Sequence, residues 1–382
     1  MKWINKILSA WLDELRVVSH DVGIIIFVVL VPLFYPLLYA YIYNNEQVRE
    51  IPFALVDDSH SPQSRDFVRK VDATPTAALY ASCLSMEEAE EMMKRREVYG
   101  IIHIPASFAR DLSRGDQTTV GLYCDMSTML YYKGLLMAAS SASLEVNRGI
   151  KVGKFLPGST DRQDAVTAMP VTYDSVALYN PQSGFASYLI PPVLMLIIQQ
   201  TLLLGIGMSM GSTRERNGGL IPAQHSATSM VLGKTLFYLP LYVVSAVYMF
   251  AVVTRGFSLP QLGDYTTFLA FIVPYIVACI MLGITLSMLV YRREDCIMLF
   301  VFMSVPLLFL SGISWPGSAI PDFWKYVSWL FPSTFGMNGY MRITSMGATL
   351  TDVSAELSGL MVQIAAYFAT ATLLYYRRLT RQ

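Results

Sequence analysis

Charge is what this sequence has least of. Aspartate, glutamate, lysine and arginine make up 15% of its 382 residues and hydrophobic residues 54%, against roughly 25% charged in a soluble chain. That shortfall argues against an ordinary soluble domain and for a chain that meets lipid. The formal net charge is +0, so no basic excess points to a nucleic-acid partner. Cysteine is scarce too: Cys83, Cys124, Cys279 and Cys296 have no CxxC spacing and are too few for a disulfide framework. Cys83 and Cys124 share the one segment expected outside the cytoplasm, where a bridge is allowed, and their separation is left open.

The signatures of common enzymes are missing as well. There is no HExxH and no GxSxG, and His20, His60, His103 and His225 are scattered without ligand spacing. The nearest approach to a phosphate-binding loop is Gly233-Lys234-Thr235, where the leading glycine position holds Thr228. This chain is therefore expected to be no enzyme and to hold no cofactor or metal.

Stretches free of Asp, Glu, Lys and Arg divide the rest. They are Val22–Asn45, a second span within Ser175–Thr213, then Thr235–Thr254, Tyr265–Tyr291, Cys296–Pro321 and Leu357–Tyr376. Each can supply the roughly 20 helical residues that cross a bilayer. Lys2, Lys6, Arg16, Arg214, Arg216, Lys234, Arg292, Arg293, Arg377, Arg378 and Arg381, eleven in all, flank the runs on one side, against Arg255, Lys325 and Arg342, three, on the other. The excess marks the cytoplasmic side, and both termini are predicted there. Met126–Leu144, with Lys133 alone, could pass for a seventh span, but counting it inverts the charge asymmetry of every later loop. It reads better as a long helix of a soluble domain.

Residues 1–21 precede the first run and lack a small-residue cleavage site, so they read as a retained amphipathic helix. Ile4, Leu8, Trp11, Leu15 and Val18 form one row, and Lys2, Lys6, Ser9, Asp13 and Arg16 another. Such a helix, with Trp3 and Trp11 at headgroup depth and Lys2, Lys6 and Arg16 on anionic lipid, suits the membrane interface; a lead-in helix packed on protein is the plainer reading.

Between the first span (22–45) and the five-span region (175–382), residues 46–174 read as an extracytoplasmic domain of mixed α and β character. Ile51–Val56, Gly100–Ile104 and Val120–Tyr123 are expected strands. Gln63–Val71, the stretch after the Ser85/Glu88 capping box, and Phe108–Leu112 are expected helices. Glu90 with Lys94 and Glu91 with Arg95 support a solvated helix, not a site. The fold class expected is an α-helical polytopic membrane protein of six transmembrane helices with an inserted α/β extracytoplasmic domain.

No charge lies inside the six runs, which counts against an ion-coupled carrier. The polar pair Gln199-Gln200 in the second run serves helix–helix contact or a substrate path. Trp315–Arg342 is too broken by Pro and Gly for a span and too apolar for a free loop, so a re-entrant or interfacial helix pair is expected at about 315–342. Trp315, Trp324 and Trp329 fit an aromatic belt, or a lateral substrate path. Pro191, Pro192, Pro240, Pro274 and Pro306 can kink the spans they enter.

Several segments, taken in order, resemble the membrane permease subunits of type-2 ABC exporters that carry a large extracytoplasmic domain after the first span. They are Ala54-Leu55-Val56-Asp57-Asp58-Ser59; Tyr99-Gly100-Ile101-Ile102-His103-Ile104-Pro105 with Phe108; Tyr179-Asn180-Pro181; Arg214-Glu215-Arg216-Asn217-Gly218; and Leu310-Ser311-Gly312-Ile313 with Pro316, Pro321, Trp324 and Phe331-Pro332. The resemblance implies a pair of permease copies or paralogues in the cell (inner) membrane, each docked on a cytoplasmic ABC ATPase subunit that carries ATP and Mg. An adaptor and outer-membrane channel are a possible extension. It also implies that the turn Arg214–Gly218 and the basic face of the N-terminal helix contact the ATPase, Glu215 above all, since retention by positive charge needs no acid there. A hydrophobic or amphipathic substrate, drug-like or lipid, follows from the same resemblance. Two other classes stay open: a membrane-anchored extracytoplasmic binding or receptor protein, and an ion-coupled carrier.

Overall fold

The computed structural model describes residues 2–114, 116–155, 178–180, 184–217, 226–290 and 292–380, without the side chains of 2 and 151–155. Asp174, Ser175, Pro181, Gly218, His225, Tyr291, Arg381 and the side chain of Lys2, all singled out above, lie outside the described residues. In chain order the elements are α1 (Lys2–Ser19), α2 (Val22–Ile42), β1 (Ile51–Asp57), α3 (Pro62–Asp72), β2 (Ala77–Cys83), α4 (Met86–Lys94), β3 (Gly100–Ile104), α5 (Phe108–Arg114), β4 (Gly121–Cys124), α6 (Met129–Phe155), α7 (Phe185–Arg216), α8 (Ala227–Gly256), α9 (Tyr265–Ser287), α10 (Arg293–Leu310), α11 (Asp322–Ser328), α12 (Pro332–Met346) and α13 (Ser354–Leu379). They fall into two compact units, Met1–Glu46 with Ala177–Gln382, and Gln47–Val176.

In the first unit, α2, α7, α8, α9 and α13 are long and apolar enough to cross a membrane. Their burial separates centre from rim. The most apolar stretch of α7 is 89% buried, against 22% for α2 and 17% for α13. A helix apolar all round belongs in the middle of a bundle; α2 and α13 turn Leu33, Phe34, Leu38, Met361, Val362 and Leu373 outward. The run expected to give a further span forms α10, whose 18 residues open on Arg293, Glu294 and Asp295. Beyond Leu310 the chain leaves the helix and turns at Gly312, with φ at 85°, so the apolar run to Pro321 does not continue as one rod.

Residues 315–342 hold a short 3-10 turn, α11 and most of α12. On α11, Phe323, Trp324 and Tyr326 are exposed. Helix α12 lies against α9 closely enough that a Cβ on Gly336 would meet the Tyr275 ring at 2.2 Å and one on Gly339 the Phe271 ring at 2.3 Å. Glu46 fastens the start of α7: its carboxylate accepts from the Ser187 N–H at 3.1 Å and the Ser187 hydroxyl at 2.6 Å. A first-turn acceptor of this kind satisfies amides that the helix leaves open.

The second unit is built on a four-stranded sheet of order β2-β1-β3-β4, parallel except for antiparallel β4. Phe53, Leu55 and Ile102 meet Phe67, Val71, Phe108 and Leu135 on one face; Ala54, Val56 and Ile101 meet Ala89 of α4 on the other. Strand β2 has no counterpart among the strands expected from sequence. Its Ala77-Ala78-Leu79-Tyr80-Ala81-Ser82-Cys83 is poor in β-branched residues and buries only its two ends, so neither propensity nor alternation marks it.

The sheet order also resolves the cysteines. Cys83 and Cys124 are free thiols on opposite edge strands and three residues out of register, more than about 14 Å apart at the usual strand spacing and out of reach of a disulfide. Burial pushes the Cys124 thiol from 9.0 up to about 11. Only the thiolate is nucleophilic, so a raised pKa suppresses reaction until the pH approaches it. Iodoacetamide should therefore alkylate Cys124 at pH 8 about a hundredfold more slowly than an exposed cysteine of ordinary pKa, with the rate still climbing at pH 10; a plateau near pH 9 contradicts this.

Candidate functional site

At one end of the helical unit, the C-terminal parts of α1, α7 and α13 meet the N-terminal parts of α8 and α10. Two acids of the N-terminal segment lie inside this junction. Glu14 is 4% exposed; its carboxylate pairs with the Lys234 ammonium of α8 and accepts from Ser209 Oγ of α7 at 2.6 Å and from the Tyr238 hydroxyl at 2.7 Å. One charge pair and two hydroxyls thus tie three helices together, as a buried carboxylate requires. A Cβ on Gly233 would meet that of Ala10 at 2.6 Å, so α1 and α8 approach too closely for any larger residue.

Asp21 stands at the elbow between α1 and α2. It caps α2 through the N–H groups of Gly23 and Ile24, takes both terminal nitrogens of Arg293 at 2.8 and 3.0 Å, and accepts from Ser212 Oγ at 3.1 Å. A planar guanidinium fork on a carboxylate fixes direction as well as distance. The N-terminal segment is thereby joined to α7, α8 and α10.

The residues singled out for ATPase contact divide here. Arg214 is 2% exposed; its guanidinium donates to the Val290 carbonyl and lies 3.4 Å from the Met288 sulfur. Arg378 of α13 donates to the Met288 carbonyl. Two cations thus sit where α9 ends, the negative end of its dipole. Glu215, Arg216 and Asn217 are exposed, and Glu215 Oε1 accepts the backbone N–H of Arg293 at 3.1 Å, bridging the end of α7 to the first turn of α10. On α1, Trp3, Lys6 and Arg16 are exposed and Trp11 is half-buried. Three faces replace the two read from sequence. Ala10, Glu14 and Val18 are buried in protein, while Ile4, Leu8 and Leu15, at 63, 50 and 38% exposure, form an apolar row beside them and Lys6, Asp13 and Arg16 a polar one.

Glu14 and Asp21 were not singled out from sequence; Arg293 was read only as a cytoplasmic-side charge, and Lys234 as that and as part of the near miss to a phosphate-binding loop. The available signal was faint. An acid in a row with Ala10 and Val18, where its neighbour Asp13 keeps to the polar row, sits where a buried face needs a partner.

The polar pair of α7 separates in the same way. Gln199 Oε1 accepts the N–H of Ser333 at 2.7 Å, in the first turn of α12, so its work is helix–helix contact. Gln200 lines a cavity of about 350 Å³ between α2, α7 and α10, together with Tyr35, Tyr39, Val193, Val301 and Leu308. It is 9% exposed and neither atom of its amide has a hydrogen-bond partner. A buried amide left with an open donor and an open acceptor is costly. Trp315 and Trp324 belong elsewhere, lining an outer groove of about 380 Å³ with Pro306, Phe309 and Pro321.

With this geometry in hand, comparison with known proteins places the chain. A family model described as "ABC-2 family transporter protein" matches residues 22–373. "ABC transporter G family member 20" of Dictyostelium discoideum is 23% identical over 317 residues, 76% of this chain and 41% of that protein. "ABC transporter G family member 23" of the same organism is 20% identical over 288 residues, 74% and 40%. The chain thus spans about two fifths of the length of these curated relatives. The match of nearly all the apolar helices and of the junction of α7, α8 and α10 identifies the chain as a member of the ABC-2 family of transporter membrane proteins.

Proposed function

We propose that the chain is the membrane subunit of an ATP-driven exporter, paired with a second copy or a paralogue and served by a separate cytoplasmic ABC ATPase that binds ATP and Mg. In this reading α10 is a sixth span, both termini are cytoplasmic in the cell (inner) membrane, and Gln47–Val176 is extracytoplasmic, as the positive-inside count favours. Glu215, Arg216 and Asn217, with Lys6 and Arg16 of α1, form the face offered to the ATPase. Ile4, Leu8 and Leu15 rest in lipid beside it. An adaptor and outer-membrane channel extend the reading where the cell supplies them.

The observation that supports this most is the Gln200 cavity. It is apolar apart from an amide without partners and the hydroxyls of its tyrosines, Thr201 and Ser304, which suits a hydrophobic or amphipathic guest with at least one neutral hydrogen-bonding group. In proteoliposomes holding the chain with its ATPase, extrusion of a neutral aromatic amide probe should require ATP. Gln200→Leu should slow it about tenfold, the cost of one buried polar contact, with ATPase assembly unchanged. Extrusion that continues without ATP and stops when an ion gradient is collapsed defeats the exporter reading in favour of a carrier.

A further inference from the structure

The outer face of α6 carries an apolar row. Leu130, Met137 and Leu144 recur every seven residues and are 44, 69 and 52% exposed, on the side opposite buried Leu135, Ala138 and Ala142. Met129 and Leu136 border the row, and Ser140 and Ser141 leave room within it. Residues seven apart stay on one side of a helix, so these three can face a neighbouring helix together, with the polar Lys133 and Ser140 between them and Asn147 after them.

Charge selects the neighbour. Laid parallel and in register, two copies of α6 set Lys133 against Lys133 and Arg148 against Arg148. Laid antiparallel about Met137, they set Leu130 against Leu144, Lys133 near the uncharged Ser141, and Arg148 near Asp125, just before the helix. The second arrangement is self-complementary about a two-fold axis and brings opposite charges together. A single helix pair is smaller than the roughly 1,200 Å² of a stable interface, so it forms only between chains already held together, where the local concentration is about millimolar.

We propose that α6 packs antiparallel against α6 of a second copy through Leu130, Met137 and Leu144, giving the exporter a second contact between copies outside its spans. This rests on the paired reading above, in its form with two copies of this chain. The test is disulfide trapping of the full-length protein in membranes, in a Cys124→Ser background because the other three cysteines are buried. Met137→Cys at the two-fold centre should form a covalent pair on mild oxidation about tenfold faster than Arg110→Cys on α5. Leu130→Cys should join to Leu144→Cys on a differently tagged copy, and neither should join to itself. Self-joining of Leu130→Cys, or a Met137→Cys thiol that stays reduced in protein of two-copy mass, overturns the α6 contact and leaves the paired exporter standing. A single-copy mass overturns the pairing of this chain with itself as well.

Discussion

Glu14→Ala should destabilise the helical unit by about 3–5 kcal/mol, the usual cost of stranding one member of a buried ion pair. Lys234 is 2% exposed and its ammonium is paired with Glu14, so the variant leaves a cation without its countercharge. It also leaves Ser209 and Tyr238 without the carboxylate to which both donate. Thermal melting in detergent should show the loss as an early transition. Glu14→Gln keeps an acceptor for the two hydroxyls and should fall between wild type and Glu14→Ala. The informative variant is the double replacement Glu14→Leu with Lys234→Met. Removing both charges removes their desolvation penalty, so it should regain most of the lost stability despite two changes in the core. A double variant as unstable as Glu14→Ala, or a single one that melts like wild type, contradicts the buried pair.

That pair shows where reading from sequence stops. The helices α2, α7, α8, α9 and α13 could be placed because exclusion of charge from hydrocarbon acts on each segment separately. Strands β1, β3 and β4 declared themselves through β-branched and aromatic residues bounded by turns. Their neighbour β2, made largely of Ala and Ser, is a strand because β1 offers it an edge, a fact no local window contains. The division of Gln199 from Gln200 is of the same kind: adjacent on one helix, they point about 100° apart, one to the start of α12 and the other to a cavity. Arg214 and Glu215, adjacent in a charged turn, likewise go one inward and one outward. Glu14 and Lys234 lie 220 residues apart, and their partnership follows from the packing of α1 on α8.

On the exporter reading proposed above, Glu215→Arg should bring ATP-driven extrusion down about tenfold or more while the chain still inserts and assembles. The physical basis is the bridge from the end of α7 to the start of α10. The Glu215 carboxylate accepts the Arg293 amide at the positive end of the α10 dipole, a charge-assisted hydrogen bond of about 1.5–3 kcal/mol. An arginine there loses the acceptor and adds a cation beside Arg216, Arg292 and Arg293. Fifteen residues earlier on the same helix stands Gln200, about 22 Å away along the axis. In the proposed cycle α7, whose most apolar stretch is 89% buried, would carry displacement from one end to the cavity at the other, and coupling of about 1–3 kcal/mol between two such sites is ordinary. Glu215→Gln, which keeps an acceptor but no charge, should retain part of the extrusion. The pairing with Gln200→Leu then separates transmission from binding: Gln200→Leu should weaken stimulation of the ATPase by the probe, and Glu215→Arg should abolish stimulation even at saturating probe. Wild-type stimulation in Glu215→Arg removes this turn from the transport cycle.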